Sequence, residues 1–298
     1  MSYFLRLCMT VTFGVFLWRS IEHAIYKDVR HAAAMHHNLL TPAGPFLSIW
    51  WLIDTMLAVF LVKEWFWPTN LVPRMHVLYL LFIASAVTST LWMESFVVGY
   101  DRVSFVPIFA NWLLLFGAYL FVEDNIQPRL VTSILASTTA THLLASPSSV
   151  DFWCIRVPFT LYWAWICAAS TIALNILLEA WGVHDIWIYI FWIALWIFAN
   201  SVILVGVGDF VFAFVALWTL IGIACKNHHE KTFYSSSDIA RYGEHYAIEV
   251  MATVGAIVFA SLFVFLVVHK WWRGPPFGRL VVVAVAPSGS SSSTYGSL

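Results

Sequence analysis

Long apolar runs separated by short polar intervals dominate the chain. They cover residues 3–18, 41–62, 76–97, 103–122, 158–178, 186–205, 210–225 and 247–268. Each reaches or approaches the roughly 20 residues that a helix needs to cross a hydrocarbon core. The pattern therefore predicts an all-α polytopic transmembrane bundle of about eight spans, within a range of about seven to nine.

The interruptions carry helix-end chemistry. Pro42, Gly44 and Pro45 precede the second run, where proline is tolerated in a first turn, and Lys63, Glu64 and Pro68 close it. Gly99-Tyr100-Asp101-Arg102 joins the third and fourth runs into a helical hairpin, and residues 179–185 and 206–209 make further turns. Residues 130–145 are shorter and rich in Ser and Thr, which predicts an interfacial or re-entrant helix, with a full span as the alternative. Arg19 is expected to end the first helix, and no small-x-small cleavage site follows it, so that helix reads as retained rather than as a signal peptide.

The predicted organisation is a transmembrane domain over 1–226, with a first helix at 3–19, a core at 41–178 and additional spans at 186–225. A polar loop at 227–246, a last transmembrane helix at 247–269 and a disordered Ser-rich tail at 270–298 complete it.

Composition agrees. Of 298 residues 61% are hydrophobic and only 10% charged, with a mean hydropathy of +0.82, whereas soluble domains carry about 25% charged residues. The chain is read as an integral multi-pass membrane protein partnered by a lipid bilayer. A net charge of -1 leaves no basic face for nucleic acid. Lys and Arg divide 8 to 7 between the two sides of the predicted spans, so the positive-inside rule gives no orientation. Cys8, Cys154, Cys167 and Cys225 show no pairing pattern.

Candidate chemistry concentrates in the stretch 156–175. Ala164 with Ala168, and Ala169 with Ala173, are small residues at four-residue spacing that let a neighbouring helix approach closely, within the bundle or across a homodimer. Tyr162, Trp165 and Asn175 carry groups that hydrocarbon cannot satisfy and are expected to face a bundle interior. The two readings are tight helix packing and one wall of an internal ligand pocket. Asp54, about two turns into the second span, is an intramembrane acid, to be understood as functional or as a hydrogen bond that locks helices.

Other signals weigh less. His31, His36 and His37 lie at spacings that do not share one helical face, and no carboxylate accompanies them, so no metal site is expected. Asp54, Glu94 and His142 sit on separate segments, and the chain has no H-E-x-x-H, G-x-S-x-G or P-loop motif. Trp65, Trp67, Trp181, Trp187, Trp271 and Trp272 are expected at membrane interfaces, as Trp at helix ends usually is.

Three motifs in register resemble the extended bacterial branch of the tryptophan-rich sensory protein family, the TspO/translocator protein group. Thr41-Pro42-Ala43-Gly44-Pro45-Phe46-Leu47-Ser48-Ile49-Trp50 is similar to its TPAGxxFSIW opening. Arg156-Val157-Pro158-Phe159-Thr160-Leu161-Tyr162-Trp163-Ala164-Trp165-Ile166 is similar to its RLPFSLYLGWI, and residues 209–226 to its closing DxAYxxVxxWAxxGI stretch. The resemblance spans roughly 41–226, leaving the last helix outside.

The resemblance implies a five-helix core around a pocket for a hydrophobic small molecule, planar or polycyclic, such as a porphyrin or a sterol, with no tightly bound cofactor. Trp50, Asp54, Trp92, Tyr162, Ala164, Trp165 and Asn175 are the expected ligand-binding positions. Asp54 stands where the branch has Tyr, and a carboxylate facing the cavity would favour a ligand with a donor or a positive charge. The expected role is sensor or carrier. A membrane scaffold that binds partners is the alternative, and a membrane enzyme using Asp54 ranks below it.

Overall fold

A computed structural model describes residues 2–26, 38–69, 74–125, 149–183, 185–234 and 239–273. The expectations about His31, His36, His37, His142, residues 130–145 and the tail beyond 273 lie outside these residues. Eight of the described helices are long and apolar enough to cross a membrane. They are α1 (Ser2–Tyr26), α2 (Ile49–Phe66), α3 (Met75–Val97), α4 (Asp101–Asn125), α5 (Val157–Ala180), α6 (Ile186–Val202), α7 (Phe210–Tyr234) and α8 (Ile239–Arg273).

Packing divides the chain into two groups. Helices α1 to α5 form one bundle, in which α1 packs on α3 and α2, α3 on α4, α4 on α5, and α5 on α2. Its core is aromatic: Phe60, Phe82 and Phe159 meet at ring-centroid distances of 5.0–6.1 Å. The second group is α6, α7 and α8, joined to the first where α7 packs on α5. Ala164, Ala168, Ala169 and Ala173 are all buried within this single chain.

Helix boundaries depart from the sequence expectation at three places, each with a polar cause. First, α1 continues past Arg19 to Tyr26 because Arg19 is neutralised. Its Nε and Nη2 donate to Glu94 of α3 at 2.5 and 2.6 Å, and its Nη1 donates to Glu22. Second, the helix containing 156–175 begins earlier, at Ser149, and passes through a π-helical turn at Phe152–Arg156. Pro158 lies in the first turn of α5, and the wider turn before it accommodates a residue that has no N–H to give. Third, the expected loop at 227–246 is mostly helix. There α7 runs on to Tyr234 and α8 starts at Ile239, tied together by Lys231 and His228 on Glu249 and by His245 Nδ1 on Asn227 Oδ1.

Trp67, Trp181, Trp187 and Trp272 are exposed at helix ends, as amphipathic rings at an interface would be.

Candidate functional site

The segment ahead of α2 is held in place from α7. The Ala43 N–H donates to Gly222 O at 2.9 Å and the Trp218 indole donates to Phe46 O at 2.8 Å. Asn227 and Lys226 donate to Leu39 O and Asn38 O, both at 2.9 Å. Asn38 in turn donates to Ile172 O of α5. Gly222 is required at its position, since a Cβ there would lie 2.8 Å from Pro42 Cβ and 2.9 Å from the Phe46 ring.

Beneath this segment lies a cavity of about 50 Å³, lined by Thr41, Pro42, Leu47 and Trp50, by Trp92 and Phe96 of α3, and by Trp165, Ala169, Ile172, Ala173 and Ile176 of α5. The α5 positions recur at helical spacing, so one face of that helix forms the wall. Trp50 is the hub of its aromatic side. Its ring stacks on Trp92 at 5.9 Å and meets Trp165 and Tyr162 edge-on at 6.1 and 6.3 Å. Pairs of this kind contribute about 0.5–1.5 kcal/mol each beyond area burial.

The polar atoms of the lining distinguish it from ordinary core. Thr41 Oγ1, Trp92 Nε1 and Trp165 Nε1 are buried without a hydrogen-bond partner among the described residues. A buried unpaired polar group costs about 1–3 kcal/mol, and these three belong to side chains that line one cavity. The unpaired indoles of Trp163 and Trp196 lie elsewhere. Trp163 packs among Tyr119, Phe116 and Phe212. Trp196 lines a space of only about 20 Å³ on the other side of α5.

Two further spaces adjoin the aromatic cavity. One, of about 60 Å³, lies between α1, α2 and α3 and shares Leu47, Trp50 and Trp92 with it. The other is a vestibule of about 470 Å³ between the 41–47 segment and the end of α7, where Lys226, His229 and Glu230 contribute. It shares Thr41, Pro42 and Leu47 with the aromatic cavity.

Of the residues expected at the pocket, Trp50, Trp92 and Trp165 line the cavity together. Tyr162 stands behind Trp50, with its hydroxyl bonded to Ser89 Oγ and within 3.4 Å of Asn111 Nδ2. Ala164 and Asn175 are buried on α5 outside the lining, and Asn175 donates to Thr171 O. Asp54 is likewise outside it. Its Oδ2 accepts from Ser20 of α1 at 3.1 Å, and its Oδ1 has no partner among the described residues. The lining of the aromatic cavity thus offers indole donors in place of the expected carboxylate.

Sequence reasoning placed the first helix at 3–19 and missed its last two turns and its contacts with the acids of α2 and α3. The stripe Met9, Phe13, Phe16, Ser20 and His23 continues beyond Arg19 at alternating steps of four and three, a legible sign of a longer helix. Through Arg19, Ser20 and His23 this helix holds two acids of the neighbouring spans, Glu94 and Asp54. The cavity contributions of Thr41, Leu47 and Phe96 were also missed, since nothing in an apolar pattern marks which side of a buried helix meets a void.

A family model described as TSPO-like protein matches residues 3–267. The match takes in α1 and most of α8, so the last helix, which the motifs alone leave outside, lies within it. No curated protein and no solved structure matches the chain.

Proposed function

The chain belongs to the TSPO-like family, and from that membership and the geometry of the aromatic cavity we propose that it reversibly binds a hydrophobic, planar or polycyclic molecule of the porphyrin or sterol kind, as a sensor or carrier. The observation that carries this reading is that three side chains lining one largely apolar space, Thr41, Trp92 and Trp165, each hold a buried polar atom without a partner among the described residues. An apolar void of this composition selects for flat hydrocarbon surface, and the indole N–H groups select for a hydrogen-bond acceptor on it. Each bond made to such a donor contributes about 0.5–1.5 kcal/mol.

Size sets a condition. Ligand pockets measure about 300–1,000 Å³, and the aromatic cavity alone has about 50 Å³. Binding therefore requires it to merge with the adjoining vestibule, and of the residues that border both, Thr41, Pro42 and Leu47, the leucine carries the longest apolar side chain to displace. The polycyclic body then lies against Trp50, Trp92 and the small residues Ala169 and Ala173, while its polar edge points to the vestibule.

The test is quenching of tryptophan fluorescence by a porphyrin in the detergent-purified protein, comparing wild type, Trp165→Phe and Leu47→Trp. Saturable micromolar quenching, weaker in Trp165→Phe and lost in Leu47→Trp, is the expected result. Linear quenching that is identical in all three proteins would reject the pocket and favour the scaffold role.

A further inference from the structure

The space of about 60 Å³ between α1, α2 and α3 shares Trp50 and Trp92 with the aromatic cavity beside it and adds hydroxyl groups of its own. Two hydroxyls line it, and both have already committed their protons elsewhere. Ser20 Oγ donates to Asp54 Oδ2 at 3.1 Å, and Ser48 Oγ donates to Pro45 O at 2.6 Å. What these hydroxyls still present is lone pairs, so the space asks for a donor. The remaining wall includes Trp50, Trp51 and Trp92, whose ring faces attract cations.

The charges behind this lining have the same sign preference. Asp54 stands one hydroxyl behind the wall, and Glu94 stands behind His23, 3.2 Å from its Nε2. Glu94 and Glu22 share a single guanidinium, that of Arg19. Among the described residues the bonded charged groups here are thus three carboxylates and one arginine, with the titratable His23 bonded to Glu94. From α5 the hydroxyl of Tyr162 faces the same interior, but it is occupied by Ser89.

Asp54 makes the deficit acute. It is 3% exposed, and its Oδ1 has no partner among the described residues. An intramembrane carboxylate in this position calls for a cation or donor from outside the chain.

We propose that this space is a subsite for the ammonium group of an amphipathic amine whose apolar body occupies the aromatic cavity next to it. The proposal rests on the ligand-binding reading above and narrows its ligand class. One water needs only about 10–15 Å³ by the same measure, so about 60 Å³ accommodates an ammonium group. The shared side chains Trp50 and Trp92 set the two subsites next to each other.

The experiment titrates the protein, in a neutral maltoside detergent, with pyrenemethylamine and with pyrenemethanol, reading energy transfer from tryptophan to pyrene against empty-micelle controls. The two probes share one apolar body and differ only in the head group. The expected result is that the amine binds about tenfold tighter than the alcohol, equivalent to one decade of affinity. Asp54→Asn should reduce that ratio to about twofold or less, chiefly by weakening the amine. Ser20→Ala, which keeps the carboxylate and removes the hydroxyl, should reduce the ratio partially and guards against a folding failure of Asp54→Asn. Saturable binding of both probes with equal affinity, or an amine preference that survives Asp54→Asn, would overturn the subsite alone. Saturation by neither probe would overturn the aromatic cavity as a ligand site and the subsite with it.

Discussion

Asp54 and Asp209 are equally buried, each 3% exposed, yet they are treated in opposite ways. Asp209 opens α7, and its Oδ1 accepts from the backbone N–H groups of Val211 and Phe212, both at 3.1 Å. Its Oδ2 takes Arg156 Nη2 at 3.3 Å and the Tyr119 hydroxyl at 3.5 Å. Arg156 also pairs with Glu123 at 2.8 Å. Four donors from α4, α7 and the π-helical turn before α5 thus meet one carboxylate, which is what a helix cap and inter-helix tie requires. Among the described residues Asp54 has a single donor, the Ser20 hydroxyl. The lesson is that burial of an acid says little about its role until its partners are counted: Asp209 is used up by the fold, whereas Asp54 is left in need of a partner.

Breaking the better-satisfied acid should have the largest effect. Asp209→Ala leaves Arg156 with Glu123 alone and strands the Val211 and Phe212 backbone donors, each buried unsatisfied group costing about 1–3 kcal/mol. Thermal unfolding followed by circular dichroism in detergent should show a strongly lowered midpoint, and an unchanged midpoint would contradict the tie. Gly222→Ala comes next. It forces a Cβ against Pro42 and Phe46, so overpacking of about 1–3 kcal/mol is expected. The same scan measures it, and ligand affinity should fall with it because the 38–48 segment that covers the cavity is displaced. Asp54→Asn should have the smallest effect on stability, within about 1 kcal/mol of wild type in either direction, because asparagine can still accept from Ser20 while no charge is buried. A loss of several kcal/mol would place Asp54 with Asp209 as a structural residue.

The same contrast explains what could be read from the sequence. The eight spans were legible because uninterrupted apolar length has few alternative uses. Trp50 and Trp165 stood out through the family motifs and Trp92 through its place inside a span, and the three meet at one cavity. Asn175 was not separable from them by pattern, since a buried amide that bonds back to Thr171 O has the same sequence appearance as one that lines a pocket. Nor could hydropathy show that Arg19 would stay helical, because the residue that neutralises it, Glu94, lies 75 positions away. The loop expected at 227–246 failed for a related reason. Its His, Lys and Glu side chains are polar because α7 and α8 grip each other there through Glu249 and Asn227.

The central claim is that the indole N–H groups of Trp92 and Trp165 are unpartnered donors awaiting a ligand acceptor. The most direct test is nuclear magnetic resonance of the protein carrying isotope-labelled indoles in micelles, with the two side-chain N–H signals assigned by Trp92→Phe and Trp165→Phe. On titration with a porphyrin both signals should move downfield together and saturate, as they would on gaining a hydrogen bond. Saturable binding that leaves these two resonances in place, while other tryptophan signals shift, would contradict the account.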